Sequence, residues 1–558
     1  MRITDTSDLW WKTAVVYCLD VERLLDWNDD GVGDFEGLAH RMDYLHELGI
    51  TCLWLMPFYP SPGLDDGYDI SDYYGVDPRL GNFGDFVEMI RMAKDRGIRV
   101  IVDLVVNHTS DQHPWFLEAR SSRDNPYRDF YVWRDHPPRQ KQELVFPDKE
   151  DSVWELDKKT GQYYLHSFYK FQPDLNVTNP KVRDEVAKIM GFWLELGVSG
   201  FRVDAVPFLV DMGSVDKPMD ALDEPLDFLK SLRAFLGRRS GESILLGEAN
   251  LPRKDQADYF GGGDGDGLTM QFDFISMQNL FLSLAREDPR PLAKALKSRP
   301  SIAVEAQWAN FLRNHDELTL DKLTDDERQE VFDAFGPEPR MQVYGRGIIR
   351  RLPPMLDGDP RRVRMAYSLM FSLPGTPVLF YGEEIGMGED TRTHDRTSVR
   401  TPMQWTNGKN GGFSNADEAA LPARVTNDGY GPEHVNASDQ RHDPDSLLQF
   451  MRVLIKRYRA SSEMGWGDCE VLDQPAKSVF AHSLSSAEGR MVALHNFSPD
   501  PVTTTFVIPD TQDGDVLVDL LVDGRPLAFD EDGSVTVPLE AYGLGWIRVI
   551  RADGKRLG

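Results

Sequence analysis

From Ala14 to Tyr381, short apolar runs alternate with stretches whose apolar positions fall three and four residues apart. The runs are Ala14–Leu19, Thr51–Met56, Val100–Val105, Gly200–Val206, Ile244–Ala249, Thr269–Phe274, Trp308–Arg313 and Val378–Tyr381. Each has the length of a buried strand. The intervening stretches include Phe83–Arg96, Val182–Leu196 and Arg361–Phe371, each with one apolar helical face. Eight strands separated by helices predict a (β/α)8 barrel, although other alternating α/β folds share the pattern.

Two regions break the rhythm. From Asn107 to about Val177 the chain is aromatic, charged and poorly periodic, which is too long for an ordinary loop. An inserted subdomain after the third strand, leaning over the barrel mouth, is the expectation. After the helix-like Ser446–Ala460, alternating runs at Ser478–Leu484, Met491–Asn496, Thr504–Ile508 and Trp546–Val549 predict a small antiparallel β-sandwich. The expected division is therefore barrel 1–106, insertion 107–177, barrel 178–460 and β-domain 461–558.

The chain carries 91 Asp and Glu against 62 Lys and Arg, a formal charge of −29. Such a surface repels nucleic-acid phosphates and anionic lipid, so neither is an expected partner. The first residues have no apolar signal-peptide core, and no run is apolar for the length of a membrane span. Cys18, Cys52 and Cys469 are odd in number and widely spaced, as expected of buried thiols in a cytoplasmic protein.

Three of the predicted strands end in acids: Gly200-Phe201-Arg202-Val203-Asp204, Leu245-Leu246-Gly247-Glu248 and Arg313-Asn314-His315-Asp316. A parallel barrel builds its site where strands end. Converging carboxylates there suit glycosidic cleavage, one as an ionised nucleophile and one with a raised pKa as acid. Arg202 stands two residues before Asp204, on the same side of a strand, where its charge favours the ionised nucleophile. Any one of these acids can be a barrel salt bridge; the set is harder to explain that way.

Two further motifs have bland alternatives. Asp26, Asn28, Asp30 and Asp34, with the Val32 carbonyl, surround a glycine turn as a hard cation requires. Calcium is the expected ion, with magnesium as the other choice; the alternative is a polar turn capping its own backbone. His108, in Asp103-Leu104-Val105-Val106-Asn107-His108, is either a packed residue or a ligand. Tyr68, in Leu64-Asp65-Asp66-Gly67-Tyr68-Asp69, can stack on a sugar ring or simply belong to a turn.

On these residues the chain resembles the α-amylase family, glycoside hydrolase family 13, along nearly its whole length. The family's ordered regions appear as Asp103–His108, Gly200–Ala205, Glu248 and Asn314–Asp316, with Gln172-Pro173-Asp174-Leu175-Asn176 in the insertion. The resemblance implies Asp204 as nucleophile, Glu248 as acid/base and Asp316 as transition-state stabiliser. It also implies His108, Arg202 and His315 as sugar ligands and Tyr68 as the stacking platform. Gln172–Asn176 is similar to the members acting on short α-glucosides, whose blind pocket holds one glucose through an acid before the tyrosine. Asp65 is the choice for that acid, with Asp66 adjacent.

The strings Asn314–Leu320, Tyr381–Gly388 and Val399–Trp405 look most like members that isomerise maltose to trehalose by intramolecular transglucosylation. By that resemblance Asn250, Glu317, Asp321 and Arg400 line the acceptor side, where Glu317 and Asp321 can close a gate by pairing with Arg400 or a sugar hydroxyl; the bland alternative for Arg400 is a salt bridge between loops. A second cation site would match Asn107, Asp174 and Asp211 with the carbonyls of Phe208 and Leu209. Ala205 is similar to members preferring α-1,4 links. Departures cluster near the acceptor: an acidic Val210–Pro225, Asp321 in place of glutamate, and Leu251-Pro252 in place of a bulkier pair. The runner-up activities are therefore an α-glucosidase and a transglucosidase with another acceptor. A non-catalytic carbohydrate-binding barrel is the remote alternative, since such proteins lose acids that this chain keeps. No organic cofactor is implied, and self-association is left open.

Overall fold

The computed structural model describes residues 9–138, 142–210, 226–486, 489–523, 525 and 527–552. All eight expected strands form: β1 Val16–Leu19, β2 Cys52–Leu55, β3 Arg99–Leu104, β4 Gly200–Val203, β5 Ile244–Gly247, β6 Met270–Phe272, β7 Gln307–Asn310 and β8 Thr376–Phe380. They pair in parallel around a closed barrel, in sequence order, with β8 returning to β1 through Val16↔Val378 and Cys18↔Phe380. β1, β2, β4, β5, β6, β7 and β8 are buried along their whole length, as near-continuous apolar runs demand when helices cover the outside.

The helices start where local chemistry satisfies their free N–H groups. Phe83–Asp95 opens with a reciprocal capping box between Asn82 and Asp85. Pro180–Glu195 and Pro360–Ser372 begin with proline after a capping Asn179 or Asp359. The predicted ranges are right to within about two residues, the usual uncertainty of helix ends.

Between β3 and β4 the chain makes a three-stranded antiparallel sheet in the order Trp133–Arg134, Gln162–Leu165, Trp154–Asp157. Single bridges, His108↔Asp174 and Tyr131↔Leu175, pin its beginning to its end. At the C-terminal end, a five-stranded sheet (468–471, 479–485, 490–496, 544–550, 516–519) faces the pair 502–507 and 534–539. Val492, Leu494, Phe506, Val535, Val537 and Ile547 fill the space between them, so the domain is a sandwich. Cys18 and Cys52 are buried on neighbouring barrel strands, but Cys469 is exposed. It lies on the sandwich's edge strand Asp468–Val471, whose first three residues are exposed, contrary to the expected burial.

Candidate active site

The barrel's register brings β3, β4 and β5 side by side, pairing Asp103 with Arg202 and Val203 with Gly247. Arg202 points inward and is 1% exposed. Its Nη1 donates to Asp204 at 2.6 Å and to Asp103 at 2.5 Å, and its Nη2 lies 2.8 Å from Glu248. One guanidinium thus holds both proposed catalytic carboxylates. Trp54 fixes the far side by donating Nε1 to Asp103 and facing the guanidinium with its ring.

Burial pushes the Asp204 carboxyl up to about 6, against the pull of Arg202 and with help from Asp103 and Asp316. Glu248 is raised for the same reasons, burial first. Ala205, just after Asp204, has φ of 49°, a left-handed backbone uncommon outside glycine. That turn aims its N–H at Glu248 Oε2, 3.1 Å away, coupling the end of β4 to the acid on β5.

The opposite wall is built after β7 and β8. Arg400 Nη2 and Arg396 Nη1 donate to Asp316 Oδ1 at 2.9 and 3.0 Å. Arg396 also donates to Asp65, whose second oxygen accepts from Gln172 Nε2 at 2.9 Å. Burial opposes ionisation of Asp316, yet hydrogen bonding from His315 and the charges of Arg396 and Arg400 hold it well below the usual carboxylate range. Tyr68 lies parallel to His315 with its hydroxyl 2.8 Å from Nε2. Burial lowers the pKa of both His108 and His315, leaving neutral imidazoles to hydrogen-bond hydroxyls. His108 Nε2 lies 3.2 Å from the Tyr68 carbonyl, between that tyrosine and the insertion.

Asp65 and Asp66, indistinguishable by sequence, part here. Asp65 faces Gln172 and Arg396, whereas Asp66 is clamped between Arg23 at 2.7 Å and Arg400 at 2.5 Å. The pairing of the expected gate with Arg400 is not made. Arg400 is fully buried against Asp66, Asp316 and the His315 carbonyl, so it reaches neither Glu317 nor Asp321. Asp321 instead accepts from Asn250, Gln278 and Lys322, and Glu317 approaches Arg346 at 3.6 Å. Arg396 was not singled out from the sequence; its signal was a second arginine one helical turn before Arg400, carried by the 3-10 turn Arg396–Val399.

At the first expected cation loop the side chains cap backbone. Asp26 accepts from Gly31, Asn28 from Asp30, Asp30 from Val32, and Asp34 from Trp27 and Gly37. Asp26 Oδ1 stays buried without a partner. At the second, Asn107 Nδ2 lies 3.3 Å from Asp174 and Asn107 Oδ1 is buried and unpartnered. Phe208 and Leu209 sit in the short helix Val206–Val210, and Asp211, with the rest of 211–225, lies outside the described residues. Among the described residues, no group of three or more His, Cys, Asp or Glu side chains is arranged to hold a metal ion, and no helix is long and apolar enough to cross a membrane.

A family model described as the α-amylase catalytic domain matches residues 21–334 and 350–467. The trehalose synthase of Pimelobacter sp. (strain R48) is 40% identical over 559 residues, 98% of this chain and 96% of that protein. The trehalose synthase of Thermus thermophilus is 44% identical over 494 residues, which cover 88% of this chain but only 50% of that relative's length. A crystal structure of a trehalulose synthase variant in complex with Tris superposes with TM-score 0.77 at 28% identity, covering 97% of this chain and 100% of that one. The fold, the acids on one guanidinium and these matches agree: the chain belongs to the α-amylase family of glycoside hydrolases.

Proposed function

We propose that the protein isomerises maltose to trehalose through a covalent glucosyl-enzyme. The observation that carries this is the pairing of Asp204 and Glu248 on the single buried Arg202, opposite a pocket wall closed by Asp65, Arg396 and Asp316. Likeness to trehalose synthases over almost the full chain supports the particular reaction.

The geometry gives each group its task. Asp204, ionised above about pH 6, attacks the anomeric carbon while Glu248, whose pKa burial raises, gives its proton to the departing oxygen. Asp316 stays anionic and faces the positive charge that develops on the sugar ring. Asp65 and the neutral histidines hold the hydroxyls, with Tyr68 beneath the ring. In the second step Glu248 takes the proton from the 1-hydroxyl of the retained glucose, which then displaces Asp204.

The acceptor wall supports retention of that glucose through the linked side chains of Asn250 and Asp321. A structural calcium ion at Asp26–Asp34 is part of the same proposal, supported by the orphaned Asp26 Oδ1; magnesium is the other ion of suitable hardness. The unpartnered Asn107 Oδ1 supports a second ion beside Asp174 in the same way. Cytoplasmic residence accords with a reducing environment for the free thiols.

Proton NMR of maltose turnover from the first minutes tests the reaction. Trehalose ahead of glucose is the expected result. Glucose alone, released first as the α-anomer, would replace the proposal with a retaining α-glucosidase.

A further inference from the structure

Beyond Asp316 the chain makes a small sheet before returning to the barrel. Leu318–Thr319 pairs antiparallel with Gly347–Ile348, which pairs with Gln342–Val343. The tight turn between the last two strands is Tyr344-Gly345-Arg346. Tyr344 has φ of 56°, a left-handed conformation disfavoured for an aromatic residue, and yet it is buried. Gly345 follows with φ of 65°, so the two residues together make the left-handed pair that a tight hairpin turn uses.

The turn packs against the insertion. The Tyr344 ring lies 5.0 Å from Phe146, and its phenol stands beside that of Tyr169. Arg346 Nη2 donates to the Val145 carbonyl at 2.9 Å while the same nitrogen lies 3.6 Å from Glu317, next to Asp316. The contacts then lead back to the pocket by two routes. Phe146 stacks on Tyr169 and carries the Arg396 guanidinium 5.0 Å above its ring. Tyr169 N–H donates to Gln172, which donates to Asp65.

We propose that the Tyr344–Arg346 turn is a latch that fastens the insertion across the glucose pocket and so decides which acceptor meets the glucosyl-enzyme. This inference rests on the isomerase reading above. In both outcomes the bond between the anomeric carbon and Asp204 breaks, and its electrons return to the carboxylate. The incoming oxygen bonds to the anomeric carbon and its proton passes to Glu248. Only the O–H differs: the retained glucose when the latch holds, water when it opens. Tyr344 and Arg346 are thus positioning residues, acting through Phe146, Tyr169 and Glu317.

The test feeds maltose, with 13C-labelled glucose in solution, to the wild type, Arg346→Ala and Tyr344→Phe. In Arg346→Ala the ratio of glucose to trehalose should rise by about fivefold or more, and label should enter trehalose, while maltose consumption stays within about twofold. Tyr344→Phe, which removes one hydroxyl and spares the fold, should move the ratio in the same direction by less. An unchanged ratio with no label incorporated would overturn the latch, as would a fall in consumption at constant ratio, which marks mere fold support. Should Arg346→Ala be insoluble, Tyr344→Phe decides alone. A wild type that forms only glucose overturns the isomerase reading and the latch together; one that forms trehalose beside unaltered variants overturns the latch alone.

Discussion

The two walls of the pocket hold acids in opposite ways. On the β4–β5 wall, Asp103, Asp204 and Glu248 share the one guanidinium of Arg202. On the β7–β8 wall, Asp65, Asp66 and Asp316, with Asp20 behind them, meet three arginines, Arg23, Arg396 and Arg400. Burial is severe on both sides, but on the second wall the arginines overcome it at Asp66 and Asp316. The first wall therefore keeps its carboxyls high, with Asp103 and Asp204 at about 6, whereas Asp316 stays anionic throughout the working range. A wall short of cations can move a proton; a wall rich in them can only hold charge still. Chemistry that needs a proton donor and a fixed anion within one pocket is served by that imbalance.

The comparison breaks most completely at Asp204, the proposed nucleophile. Asp204→Asn should lower turnover by on the order of 10⁴-fold or more while circular dichroism and melting remain close to wild type, because the amide keeps the Arg202 contact but cannot form the ester. Substantial residual turnover would remove Asp204 from its role. Next in size is Arg202→Lys, which should lower kcat/KM by roughly 10²- to 10³-fold, since a point charge cannot bridge two carboxylates as the fork does. The pH profile carries the sharper reading. Wild-type activity should fall as pH drops through about 6, where Asp204 takes up a proton. With the bridging cation weakened, that carboxyl rises further and the acid limb must move to higher pH. An acid limb that stays in place would show that Arg202 does not set the nucleophile's charge.

How much of this was legible in the sequence depends on the range of the interaction. Strand existence and the acids at strand ends follow from local pattern, so β1 to β8, Asp204, Glu248 and Asp316 were readable, as was the in-register pair Arg202 and Asp204. Contacts between loops were not. Asp65 and Asp66 look alike until Arg396 and Arg400, more than 300 positions away in sequence, select one each. Resemblance places Arg400 on the acceptor side, but its charge shows only that it needs an acid, not which acid. The Tyr344 turn left no signal at all, since nothing in Tyr-Gly-Arg shows that the tyrosine itself adopts the left-handed backbone.

Arg396→Lys gives the smallest effect and the cleanest contrast. Arg396 spans Asp65 and Asp316 with two different nitrogens, which the single ammonium of lysine does not reproduce. Losing one charge-assisted hydrogen bond is worth about 1.5–3 kcal/mol, so kcat/KM should fall by roughly ten- to a hundredfold, mostly through KM as Asp65 loosens its hold on the sugar. Asp316 keeps Arg400 and remains ionised, so the acid limb should stay at its wild-type position, in contrast to Arg202→Lys. The two variants measured side by side separate the walls. If the acid limb moves in Arg396→Lys as it does in Arg202→Lys, the charges of the two walls are coupled and the division between a proton-moving side and a charge-holding side fails.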